Sequence, residues 1–144
     1  MKRFRVFAFM LLFISGIPLR ALAGDFDGSK PLLCASMKVF ECTAGEGCVE
    51  VLPEDINAPQ FFRVDVKAGS INVTHADGVT KSTTIERTER VDGKLILQGA
   101  EDGIEGVQDG LGWTMAIRED SGKIVLTASG DEVAFIVFGA CTRP

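Results

Sequence analysis

The sequence contains no tyrosine, one tryptophan and one histidine, His75. A hydrolytic triad needs a base beside its nucleophile, and a zinc site needs several nitrogen or sulfur ligands, so one histidine supports neither. No serine lies in a Gly-x-Ser-x-Gly motif, no glycine run has the context of a phosphate-binding loop, and Glu86 and Glu89 are not placed like an acid–base pair. The sequence therefore predicts a protein that is not an enzyme and holds no cofactor.

The first apolar run is too short to cross a membrane. It extends from Val6 to Ile17, twelve residues, whereas a transmembrane helix needs about twenty. Basic residues precede the run, and Ala21-Leu22-Ala23 follows it as a small-x-small cleavage site. We predict a cleaved signal peptide over residues 1–23, with an uncleaved anchor as the alternative, and a single domain over residues 24–144.

Few basic residues remain once residues 1–23 are removed. That segment carries four of the fifteen Lys and Arg and none of the twenty Asp and Glu, so the remaining chain has a net charge of −9. Such a surface repels phosphate backbones and anionic lipids, so we expect no nucleic-acid partner and no membrane association after cleavage. A basic protein partner is electrostatically favoured, although acidity also keeps many exported proteins soluble.

The four cysteines include no C-x-x-C pair, which disfavours both a zinc site and thiol redox chemistry. An even count in an exported chain predicts two disulfides and a periplasmic or secreted location. If residues 34–42 form a strand, Cys34 and Cys42 lie about 26 Å apart, which is too far for a disulfide. If the first and last strands pair, Cys34 meets Cys141 and Cys42 is left with Cys48. A link from Cys34 to Cys48 would contradict this closure.

Short alternating segments with turn signals between them predict an all-β fold. Residues 33–39 alternate from Leu33 through Ala35, Met37 and Val39, and Asp92-Gly93 is a strong signal for a two-residue hairpin. We expect a long, solvent-facing strand over Val79–Val91 and a frayed terminus over residues 24–31. Nine candidate strands are present, of which Val49–Leu52 is the weakest. We predict an antiparallel meander of about eight short strands, a small barrel or sandwich, tied by disulfides.

The C-terminal run from Gly112 to Cys141 gives the clearest pattern of strands and turns. Its last strand, Val133 to Ala140, is apolar on both faces, so it is predicted to be central or covered. Trp113 is assigned to the core, with the lining of a ligand cavity as the alternative. Six phenylalanines and no tyrosine after residue 23 indicate that aromatic residues serve the core.

The segment Gly99–Gly110 is predicted to be an acidic, glycine-rich loop. Carboxylates in this segment could offer oxygens to Ca²⁺, but their spacing does not match a D-x-D-x-D-G calcium loop, so a solvated loop is preferred. The acids concerned are Glu101, Asp102, Glu105 and Asp109. We therefore assign no metal site.

Four segments carry a resemblance to other sequences: PLLCA (Pro31–Ala35), PEDINAPQFFRVDV (Pro53–Val66), DGKLILQGAE (Asp92–Glu101) and VAFIVFGACT (Val133–Thr142). Together they resemble small exported bacterial proteins of unknown function, over most of the chain after residue 23. The resemblance implies an exported domain that carries cysteines. It implies no activity and no site residues.

Two classes of function fit these observations. The first is a non-catalytic binding module that holds a small apolar ligand or uses its loops on a protein partner. The second is an inhibitor of an exported basic hydrolase. A cavity of roughly several hundred Å³ would favour the ligand, whereas a packed interior with a rigid protruding loop would favour inhibition. The candidate contact loops are Cys42–Cys48, Pro53–Gln60 and Gly99–Gly110.

Overall fold

A computed structural model describes residues 24–56, 58–74, 78–103, 106–107 and 109–144. Within these residues, antiparallel strands form one curled sheet, a half-barrel, and no α-helix is present. The all-β prediction is therefore confirmed. The predicted signal peptide, His75 and Glu105 lie outside the described residues.

In the described part of the chain, ten strands follow one another, and Pro53–Ile56 forms a 3₁₀ turn. The sheet order is β5-β4-β3-β1-β10-β9-β8-β7-β6, with β2 paired to β1 beside this path. The strands are β1 Leu32–Thr43, β2 Gly47–Val51, β3 Phe61–Asp65, β4 Ser70–Thr74, β5 Thr80–Thr84, β6 Arg87–Val91, β7 Lys94–Glu101, β8 Leu111–Arg118, β9 Lys123–Ser129 and β10 Val133–Thr142.

Two of the predicted strands show how the sheet is built. The segment predicted to be weakest forms β2, which pairs with the second half of β1. The segment predicted as one long strand is divided at Ile85 into β5 and β6. The Ile85 N–H donates to the Gly69 carbonyl at 2.8 Å, and the Glu86 N–H donates to the Gln98 carbonyl at 2.9 Å. Residues 80–91 thus hydrogen-bond first to one side of the sheet and then to the other. This connection between the two sides keeps the sheet curled.

The first and last strands pair along almost their whole length, as predicted. Cys34 lies opposite Cys141 in the register of β1 and β10, and Cys42 lies opposite Cys48 in the register of β1 and β2. Both disulfides form, Cys34 with Cys141 and Cys42 with Cys48. The predicted pairing of the four cysteines is confirmed, and the longer link joins two strands in the middle of the sheet order.

A β-bulge interrupts β1 at Met37 and reverses its alternation. Leu32 and Cys34 are buried before the bulge, and Val39 is buried after it, while Met37 itself is 72% exposed. A bulge inserts one extra residue and so moves every following side chain to the other face. The single alternation predicted from Leu33 to Val39 is therefore wrong. At this same point the neighbour of β1 changes from β3 to β2.

The core lies on the concave face of the sheet, and the N-terminal segment covers one end of it. Phe26 packs against the core, and its N–H donates to the Glu119 carbonyl at 3.2 Å. Arg143 pairs with Asp25 at 3.1 Å, which ties this segment to the C-terminus. The prediction of a frayed terminus over residues 24–31 is wrong, because the side chain of Phe26 packs against the core and holds this segment in place.

β10 is central in the sheet, as its two apolar faces predicted. Val137 on its concave face is buried, whereas Phe138 on the convex face is 42% exposed. Phe138 forms an edge-to-face pair with Phe40 of β1, with ring centroids 6.1 Å apart. The apolar residues of the convex face are thus stabilised by neighbours within the sheet rather than by a second layer.

Candidate ligand-binding pocket

A pocket of about 290 Å³ opens on the concave face, at the end of the half-barrel opposite Phe26. Apolar side chains from several strands line it, including Phe62, Val73, Leu126 and Phe135. The segment between β2 and β3 contributes Ile56, Ala58 and Pro59. The strands place these side chains because alternate residues of each strand face the concave side of the curled sheet. One end of the interior is filled by core residues, and the other end holds this pocket.

Trp113 belongs to both parts of the interior. It is 7% exposed, lies in the core cluster and also lines the pocket. Its ring lies beside Gly99 of β7, where the Cβ of any larger residue would be 2.4 Å from Trp113 Cζ2 and 2.5 Å from the Thr84 carbonyl oxygen. The absence of a side chain at position 99 therefore allows β5, β7 and the indole ring to approach one another.

Replacing Gly99 by alanine is expected to lower the free energy of unfolding by about 1–3 kcal/mol, the usual cost of overpacking a well-packed site. The added methyl group has to displace the indole ring or the backbone at Thr84, so the emission of the single tryptophan should also change. Gly112→Ala is the matched control, since nothing lies within 4 Å of its added Cβ. Urea unfolding followed by tryptophan fluorescence measures both. Equal stability of the two variants would contradict the close approach at Gly99.

Two polar atoms in the pocket wall are buried without a hydrogen-bond partner among the described residues. They are the hydroxyl oxygen of Thr83 and the indole nitrogen of Trp113. Thr83 lies on β5, and both side chains line the pocket. A buried donor that makes no hydrogen bond costs about 1–3 kcal/mol. Each of these two atoms has almost no accessible surface, so a molecule in the pocket would not reach either of them in this conformation.

Among the described residues that line the pocket, Glu101 is the one with a charged side chain. It ends β7 opposite Leu111, on the concave side. Removal from water raises the pKa of the Glu101 carboxyl, the charge of Asp102 raises it further, and the charge of Lys81 acts in the opposite direction. Glu101 thus brings a carboxyl to the edge of the pocket, close enough to Asp102 and Lys81 for their charges to act on it.

The predicted loop Gly99–Gly110 begins later than expected, because β7 continues through Glu101. Pairing with β8 places Glu101 at a strand end rather than in a solvated loop. Among the described residues, no group of three or more His, Cys, Asp or Glu side chains is arranged to hold a metal ion. Asp109 packs against Gly103, close to the position that a Cβ would occupy there. Of the three acids considered for Ca²⁺ that the structure describes, Glu101 lines the pocket, and Asp102 and Asp109 do not.

The other predicted contact loops take different positions. The Cys42–Cys48 turn projects at the end of the β1–β2 hairpin, in which the residues of β2 before Val51 are exposed. The Pro53–Gln60 segment instead lies along the pocket, where the Ser36 hydroxyl donates to the Pro59 carbonyl at 2.8 Å. Sequence reasoning named this segment but missed Thr83 and Phe135 as pocket residues. Thr83 was predicted on a solvent-facing strand and Phe135 on a strand that is apolar on both faces, and only the curl of the sheet brings the two side chains to one pocket.

All four cysteines are in disulfides, which is typical of an oxidising, extracellular environment. Within the described part of the chain, no helix is long and apolar enough to span a bilayer. Comparison with known proteins finds no matching family, no matching curated protein and no matching solved structure. The pocket is therefore interpreted from its own geometry and chemistry.

Proposed function

We propose that this protein is an exported, non-catalytic module that binds a small apolar ligand in the concave pocket of its half-barrel. The observation that carries the proposal is the apolar pocket of about 290 Å³ beside a well-packed core. Ligand sites are typically concave and mostly apolar, with a few polar groups, and this pocket is lined mainly by apolar side chains with the Glu101 carboxyl at its edge. The predicted signal peptide and the disulfides support export.

The first test fills the pocket. Ala128 lines it and lies opposite Trp113 in the pairing of β8 and β9, so Ala128→Phe should occupy its volume. We expect the uncharged ten-carbon fluorophore 1-aminonaphthalene to bind the natural protein, and Ala128→Phe to weaken that binding at least about tenfold, because the added ring takes up the volume that the probe would fill. Fluorescence titration provides the measurement.

The matched control is the same substitution at Ala100, which is exposed and does not line the pocket. Ala100→Phe should bind the probe like the natural protein. No binding by the natural protein would refute the proposed function. Equal binding by Ala128→Phe and the natural protein would place the probe outside the pocket and refute it as well.

A second candidate function rests on the β1–β2 hairpin. A disulfide closes this hairpin, Lys38 pairs with Glu50 across it at 3.3 Å, and Glu46 in its turn is exposed. A rigid, acidic projection suits contact with a basic hydrolase. An inhibitor would abolish the activity of such an enzyme at equimolar concentration, and Glu46→Lys would relieve the inhibition. The ligand-binding proposal is preferred because a concave, mainly apolar pocket is typical of ligand sites, whereas the hairpin offers only an exposed acidic projection.

A further inference from the structure

Apolar side chains form a patch on the convex face of the sheet, where no other element of the described chain packs against them. Phe61 of β3 lies opposite Ala35 of β1, and Ala35 lies opposite Ala140 of β10. Two residues before Ala140 on the same strand, Phe138 lies opposite Val125 of β9. Continuous exposed apolar surface usually marks a contact with another molecule. The four large side chains of this convex patch are between 39% and 61% exposed: Leu33, Phe61, Val125 and Phe138.

The charges around the convex patch are opposite in sign to the net charge of the chain. On the strands β3, β1, β10 and β9, the outward positions hold the bases Lys38, Arg63 and Lys123 and one acid, Asp65. Lys38 pairs with Glu50 of β2, whereas Arg63 and Lys123 form no ion pair within the described residues. Most acidic residues lie instead in the turns between the strands. Because charges in water are screened beyond about 8 Å at physiological ionic strength, the field at this face depends mainly on its own bases.

The shape and the side chains of the patch favour a lipid bilayer over a protein partner. Phe61 and Phe138 project from the outside of the curl, so they offer no groove to the side chains of a partner. The residues that contribute most to protein interfaces are commonly Trp, Tyr and Arg, with Leu and Val under-represented, whereas the large side chains here are Phe, Leu and Val. Apolar side chains beside Lys and Arg are typical of surfaces that lie in the interface of an anionic membrane.

A second copy of the chain is a poor occupant for the same patch. Its identical surface would bring Arg63 and Lys123 of both copies together, and like charges placed against one another in an interface cost free energy. The phosphates of anionic lipids instead carry the charge that complements these two bases.

We propose that the convex patch is a docking surface for an anionic lipid bilayer. Phe61 and Phe138 enter the apolar layer, and Arg63 and Lys123 contact the phosphates of the headgroups. The net charge of the chain predicts no membrane association, and the inference departs from that prediction because the fold separates the bases of this face from the acids of the turns. The pocket opens on the other face, so the inference does not depend on its ligand.

Co-sedimentation of the folded, disulfide-bonded protein with vesicles tests the proposal. We expect tighter binding, by at least about tenfold, to vesicles of equimolar phosphatidylcholine and phosphatidylglycerol than to vesicles of phosphatidylcholine alone, because each base near an anionic surface strengthens binding about fivefold. Raising the salt concentration to about 1 M shortens the screening length to about 3 Å and should abolish the preference.

Two variants with matched controls locate the contact. Phe61→Ser should weaken binding to the mixed vesicles at least about tenfold, because the phenylalanine ring no longer enters the apolar layer. Val91→Ser is its control, since Val91 is 57% exposed but lies on β6, at one end of the sheet order. Lys123→Glu should also weaken binding at least about tenfold. Lys81→Glu changes the net charge equally but lies opposite Val73 on the pocket side, so it should not. All four side chains are exposed, and urea unfolding should show that each variant keeps the fold.

The outcomes decide whether the patch meets a membrane. No binding to the mixed vesicles, or equal binding to both kinds of vesicle, would overturn the inference. Binding by Phe61→Ser or Lys123→Glu that equals binding by the natural protein would overturn it as well, because the contact would then lie elsewhere. A dimer in analytical ultracentrifugation that binds no vesicles and becomes a monomer in Phe61→Ser would assign the patch to a second copy, against the proposal.

Discussion

Replacing both Cys34 and Cys141 by alanine is expected to lower the free energy of unfolding by about 4.8 kcal/mol. This disulfide joins residues 107 apart, and the entropy that a link removes from the unfolded chain increases with the length of the loop it closes. Small domains have unfolding free energies of about 5–15 kcal/mol, so the variant should lie close to the limit of folding. Urea unfolding of the oxidised protein gives the value directly.

The second disulfide provides the matched control. Cys42 and Cys48 are only 6 residues apart, so the same model gives a loss of about 2.2 kcal/mol for the double alanine variant. Both links connect directly opposed residues of neighbouring strands, but the Cys34–Cys141 bridge is buried in the core, whereas Cys48 of the second bridge is exposed. Equal losses for the two pairs would show that native contacts, rather than loop length, determine the contribution of each disulfide.

The pairing of the cysteines could be predicted because it depends on few physical facts. Strand length excluded a link from Cys34 to Cys42, and pairing of the chain ends placed Cys34 beside Cys141. The hairpin at Asp92-Gly93 was predictable for a similar reason. Both residues adopt positive φ, 50° and 69°, as the type I′ turn requires, and glycine and aspartate tolerate this conformation. Strand length and turn conformation depend on a few neighbouring residues, so the cysteine pairing and this hairpin could be predicted from the sequence.

The curl of the sheet and the pocket could not be predicted in the same way. The bulge at Met37 and the break at Ile85 have no strong local signal, yet they reverse the faces of β1 and direct one segment to both sheet edges. Glu101 was assigned to a solvated loop because its neighbours are glycines and acids. Its place at the pocket results from the pairing of β7 with Leu111 of β8. The bulge, the break and the position of Glu101 depend on contacts between residues far apart in the chain. The alternation of residues along one strand does not reveal such contacts.

Trp113→Ala is expected to cost about 3–5 kcal/mol of unfolding free energy, the range for removing a buried aromatic side chain. Trp113 is 7% exposed and connects the core to the pocket, so its loss creates a cavity that joins the pocket volume. Trp113→Phe keeps an aromatic ring and should cost less. Urea unfolding followed by circular dichroism is the measurement, because both variants lack the fluorescent residue.

Combining Trp113→Phe with Gly99→Ala tests whether the indole ring and Gly99 make the predicted contact. The Cβ at position 99 would meet Cζ2 and Cε2 of the indole, atoms that phenylalanine does not place there. The double variant should therefore lose less stability than the sum of the two single variants, because only the contact with the Thr84 carbonyl remains. Contacting residues typically show interaction energies of about 0.5–3 kcal/mol. Additive losses, within about 0.5 kcal/mol, would show that the ring does not limit the residue at position 99.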